Sequence, residues 1–131
     1  MQKTKLVVAV LGVAILIGLY FTVSVPIDSQ SRGVKEFDLE IKDRKLNLNP
    51  PIIKLTQGDQ VTFRIRADEE GEFHVHINDQ EVEVEPGKIS TIQFNATLAG
   101  RYAIAWHLPA KPGQAEHEEV VIGAVEVSPI G

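Results

Sequence analysis

The chain has 131 residues, enough for one domain of ordinary size around one core. It contains no cysteine, which excludes disulfides, zinc-thiolate sites, iron-sulfur clusters and thiol catalysis. All eighteen acids follow residue 25, with eleven of the thirteen Lys and Arg, so this part carries a net charge of −7 and is a poor partner for nucleic acid or anionic lipid headgroups.

Residues 6 to 25 form an uncharged apolar run of twenty, which as a helix at about 1.5 Å per residue spans the roughly 30 Å of a bilayer's hydrocarbon. Lys3 and Lys5 precede it and Asp28 is the first charge after it, so the positive-inside rule keeps the amino terminus cytoplasmic and sends the rest outward. Residues 1–27 are therefore read as a single-pass anchor in the cell membrane. A cleaved signal peptide is the alternative, with its best site at Thr22-Val23-Ser24, followed by Val25-Pro26. Residues 28–35 read as a linker; its polar stretch, Asp28 to Gly33, reaches roughly 20 Å at about 3.5 Å per residue.

From residue 36 the period becomes two. Phe37, Leu39 and Ile41 alternate with Asp38, Glu40 and Lys42, predicting a half-buried strand. Asn49-Pro50-Pro51 interrupts the next apolar stretch, which places it at an edge or a crossing between sheets. Gln57-Gly58-Asp59 turns the chain into the strand of Val61, Phe63 and Ile65. Asp68 to Gly71 leads into Phe73-His74-Val75-His76-Ile77, where the apolar residues share one face and both imidazoles the other. Asn78-Asp79 turns the chain out again, and Val82 with Val84, then Ile92 with Phe94, continue the strands. Tyr102, Ile104 and Trp106 mark a further strand. His107 to Glu119 reads as a long polar loop before a closing strand at 120–127. About eight short strands predict an all-β sandwich or barrel over residues 36–128.

The histidines are the residues that carry chemistry. His74 and His76 project from one strand, and His107 or His117 from the later loop would complete a nitrogen site, with Asp79, Glu116 or Glu118 as an oxygen ligand. Without a thiolate such a set suits Cu(II) and, less selectively, Zn or Ni. The plain alternative is a strand that is polar outside and apolar inside, with two ordinary surface histidines in the loop. Trp106 reads as a core residue beside Tyr102 and Ile104.

In order and spacing, several pieces resemble the cupredoxin family of Greek-key β-sandwiches. They are the run from Ile53 to Phe63, the histidine beginning the following strand, Val84-Glu85-Pro86-Gly87, the run from Ala99 to Ile104, and Gly123-Ala124-Val125-Glu126-Val127. Within the family, the His-x-His strand is similar to that of membrane-anchored bacterial domains. The resemblance implies a copper-related role at the outer face of the membrane. It also implies what is missing: the family's cysteine ligand falls on Trp106, and the one methionine is Met1, so a type 1 blue site is ruled out.

Two other readings stay open at this point. One is a metal-free cupredoxin-fold module that binds a protein partner of the cell envelope. The other is a cupin-type metal enzyme, whose first motif His74, His76, Glu81 and Gly87 imitate in order. No Ser-His-Asp set, phosphate loop or paired buried carboxylates can be assembled, so the chain does not read as an enzyme.

Overall fold

The structure, a computed structural model, describes residues 33–131. The apolar run and its reading as an anchor lie outside these residues. Among those described, no helix is long and apolar enough to cross a membrane.

Nine strands form the sandwich expected from the period-two pattern: β1 (Val34–Lys42), β2 (Lys45–Leu46), β3 (Ile52–Thr56), β4 (Gln60–Ala67), β5 (Gly71–Val75), β6 (Gln80–Val84), β7 (Ser90–Asn95), β8 (Gly100–His107) and β9 (Glu119–Ser128). One sheet has the order β2-β1-β4-β7 and the other β3-β9-β8-β5-β6. β1 runs parallel to β4, and β3 parallel to β9; the remaining pairs are antiparallel. The chain leaves the first sheet after β2 and joins the second at β3, so Asn49-Pro50-Pro51 is the crossing that its prolines foretold. The short β2, paired to β1 through a two-residue turn at Asp43-Arg44, is the strand that the sequence reading did not anticipate.

Between the sheets, Phe63 sits at the centre, with Phe37, Phe73 and Phe94 meeting its ring edge-on at centroid distances of 5.7, 6.0 and 5.2 Å. This is the favoured quadrupole geometry, and truncating such a ring to Ala costs about 3 to 5 kcal/mol.

β1 begins at Val34, inside the stretch read as linker, because a buried carboxylate holds its start. Asp59 is wholly buried; its Oδ1 accepts the Gly33 N–H at 3.2 Å, and its Oδ2 accepts the Thr56 N–H at 2.8 Å and stands 2.9 Å from Lys35 Nζ. The amide of Gln60 in turn donates to the carbonyl of Gly33 at 3.0 Å. Burial pushes the Asp59 carboxyl up, but the Thr56 amide, the Lys35 ammonium and the Gly33 amide outweigh it and hold it below its ordinary 3.8. A carboxylate with a depressed folded-state value adds stability above its unfolded value, and that stability is lost as pH falls through the folded value. Asp59→Asn is therefore expected to cost about 2 kcal/mol in urea titrations at neutral pH. As pH falls below about 3.8 the gap between parent and variant should narrow progressively, closing once pH has passed the lower folded-state value.

Candidate metal centre

The site begins with a pair of core residues. Phe73 on β5 lies opposite Trp106 on β8, and both are fully buried. Because successive side chains alternate across a strand, Glu72, His74, Ala105 and His107 all stand on the outer face of the five-stranded sheet. Register then supplies their neighbours: His74 is opposite Glu81 and Ala105, while His107 is opposite Glu72 and Glu119.

His76 follows the end of β5, in a helical backbone conformation (φ −71°, ψ −9°) that opens the 3-10 turn Ile77–Asp79. Its amide donates to the carbonyl of Ala103 at 3.1 Å. The strand thus ends sooner than the alternation suggested, yet the His76 ring still joins that of His74, stacked at 4.3 Å between centroids. His107 meets His74 edge-on at 5.2 Å. Ala105 faces outward yet is fully buried, and its methyl group leaves room on the sheet for larger neighbouring side chains.

Carboxylates surround the three rings. His74 Nε2 is 3.6 Å from Glu81 and 3.7 Å from Asp79. His107 Nδ1 is 3.3 Å from Glu72. Glu119 reaches two imidazoles at once, with one oxygen 3.6 Å from His76 Nε2 and the other 3.5 Å from His107 Nε2. None of these contacts forms a hydrogen bond to His74, whose side chain is only 12 % exposed; both of its ring nitrogens, and Nε2 of His107, are buried without a hydrogen-bond partner. Leaving such atoms unsatisfied costs about 1 to 3 kcal/mol each, so three in one patch point to a missing partner.

Three of the four histidines expected at a metal therefore come together. His117 does not join them: its Nδ1 lies 3.2 Å from the carbonyl of Leu108, in the loop. With His107 it lines a cleft of about 260 Å³ that also includes Glu70, Glu72, Glu83 and Glu85. Of the expected oxygen donors Asp79 is present, whereas Glu118 turns to Arg44 at 3.9 Å and Glu116 is exposed. Glu72 and Glu119 were missed. Counting alternately from Tyr102 through Trp106 puts His107 outward on the strand, but nothing local in the sequence sets its register with Glu72 and Glu119.

The rings are gathered but not yet closed on one point. Stacking sets the His74 and His76 nitrogens side by side, and among the described residues no group of three His, Cys, Asp or Glu is already disposed around an ion.

The position of the family's thiolate is filled differently. Trp106 points into the core and donates its Nε1–H to Glu69 at 3.3 Å. The chain has no cysteine and no sulfur among the described residues, so these residues do not fit a type 1 copper ion, and the imidazole patch lies on the opposite face of β8.

Two mixed sheets packed face to face on an aromatic core, with an outward imidazole patch on one of them, define an all-β sandwich. Residues 13–116 match the model of the cupredoxin-like domain, and the chain belongs to that family. The cupin reading is set aside with this assignment. No curated protein matches the chain significantly. Among solved structures it is similar to a blue copper oxidase from Nitrosomonas europaea (23 % identity, TM-score 0.58, 73 % of this chain and 39 % of that one). It is also similar to a heme-copper terminal oxidase (19 %, TM-score 0.55, 72 % and 65 %) and to a copper binding protein in its apo form (14 %, TM-score 0.53, 76 % and 92 %). The chain thus spans less than two thirds of the two oxidase chains, and at these identities the likeness is one of fold.

The indole also constrains its neighbours. A Cβ at Gly71 would lie 2.3 Å from Trp106 Cζ2 and 2.9 Å from the carbonyl of His107. Gly71→Ala is therefore expected to destabilise the domain by about 1 to 3 kcal/mol through overpacking, measured by urea unfolding followed at the single tryptophan.

Proposed function

We propose that this chain is a membrane-anchored, extracytoplasmic cupredoxin-like protein that binds Cu(II), or another divalent metal, at a non-blue site formed by His74, His76 and His107. The carrying observation is the set of buried imidazole nitrogens without partners, gathered on one patch of the outer sheet face. Metal-nitrogen bonds of about 2.0 Å would supply those partners, and turning rings that already lie 4.3 and 5.2 Å apart brings their nitrogens toward a common point. Glu119, lying between His76 and His107, is the carboxylate placed to offset the ion's charge. Imidazole without thiolate favours Cu(II) over Zn and Ni by the Irving-Williams order.

The anchor is supported by the uncharged run at 6–25 and by the lysines before it. Copper handling or an envelope redox system is the role that such a site would serve, with an envelope protein as partner.

The test uses the full chain in detergent, titrated with Cu(II) and followed by EPR. The parent should show nitrogen hyperfine structure. His74→Ala/His76→Ala should lose it with a fall in affinity of about 100-fold or more, and His107→Ala about 10-fold. His117→Ala should bind as the parent does. Equal, weak binding by parent and double variant would sink the metal reading and leave the metal-free interaction module. The mass of the protein extracted from membranes separates a retained anchor from a cleaved signal.

A further inference from the structure

The two ends of the sandwich differ in charge. At one end lie the loops between β3 and β4 and between β7 and β8, the residues after β9, and the start of β1. They are tied together by Gln57 donating to the Thr97 carbonyl at 2.9 Å, by the Gln57 amide to Ser128, and by the Gly58 amide to Ala96. The one charged side chain in residues 57–60 is that of the buried Asp59, and residues 95–100 and 128–131 have no charged side chain. Yet large apolar side chains are exposed here: Val34 at 71 %, Leu98 at 65 % and Ile130 at 42 %. Leu98 is held in place, since its carbonyl accepts the Tyr102 hydroxyl at 3.1 Å. Lys35 (paired with Asp59), Asp79 in the adjoining 3-10 turn, and the paired Arg101 and Glu126 are the charges nearby. At the opposite end, loops 43–44, 68–70, 85–89 and 108–118 carry seven acids against three Lys and Arg.

The apolar end is also the end from which the chain leads back to residues 6–25. Gly33 is fixed there by Asp59 and Gln60, and residues 26–33 reach roughly 28 Å at most. β4, with eight residues, is about 26 Å long, so an inverted domain would stretch that tether almost to full extension, at a cost in chain entropy that the upright domain does not carry. We infer that the end bearing Val34, Leu98 and Ile130 rests on the bilayer surface, with the acidic end turned away from it. Uncharged loops lose little on approaching the headgroup layer, and the exposed Leu and Val gain from it. Anionic lipid would repel the acidic end and favour the same orientation. The inference rests on reading residues 6–25 as an anchor.

The absence of cysteine permits single-site labelling. The full chain carrying Leu98→Cys, or Glu116→Cys on the acidic end as a comparison, is labelled with an NBD fluorophore and reconstituted into phosphatidylcholine vesicles containing a nitroxide-headgroup lipid. The label at 98 should be quenched by the lipid nitroxide at least about twofold more than that at 116, with a blue-shifted emission. Protein that floats with the vesicles but shows equal quenching at both sites overturns the docking alone. A label at 98 that is blue-shifted but not quenched points to protein covering this end, and also overturns it. Protein that washes off the vesicles at alkaline pH overturns the anchor, and the docking with it.

Discussion

The pairing of Phe73 with Trp106 across β5 and β8 is the constraint on which the site depends. Both rings are fully buried between the sheets, and a slip of one residue in either strand would bring an imidazole inward and an aromatic ring out. The cost of such a slip is several kcal/mol of lost apolar burial for each ring. The pleat then leaves no freedom for their neighbours: His74, Ala105 and His107 must face outward together. The core therefore determines which face of the sheet the imidazoles occupy, although they take no part in it.

On that face, the physical tension is between burial and satisfaction. His74 is nearly enclosed by its neighbours, and Glu81 and Asp79 stand just too far from it to hydrogen-bond. A proton on the ring would draw these carboxylates in, and a metal ion would turn the rings toward one another; either supplies the partner the nitrogens lack. Under the proposed reading one ion is shared by both rings, which lie stacked 4.3 Å apart.

Much of this was legible in the residues themselves. The alternation from Phe37 onward gave the strands, the prolines at 50 and 51 marked the crossing, and His74 with His76 declared a common side. What escaped had local reasons. His107 was taken into the loop because the polar run after it has no period, yet its membership in β8 is decided by hydrogen bonding to strands distant in sequence. Glu119 became visible as a neighbour of His107 only through the β8 to β9 register, which no local pattern encodes. His117 carries the same side chain as the other three, but its loop turns it to the Leu108 carbonyl, and loop geometry is the least readable feature of a single sequence. The short β2 escaped because a two-residue strand is too brief to show a period.

The absence of a thiolate and the position of the imidazoles are linked. In this chain the place of the family's sulfur ligand is packed with indole, anchored by Glu69 and closed off by the bare backbone of Gly71. A metal there would have to displace the buried indole, and removing it would cost about 3 to 5 kcal/mol. The outer face carries no such cost, because no core side chain has to be removed there. Under the proposed reading the ion would sit on that face, with Glu119 and Glu72 beside it to draw in cations. Such a place suits taking up and passing on a metal better than holding one rigidly for electron transfer, where fixed ligand geometry keeps the rearrangement between oxidation states small.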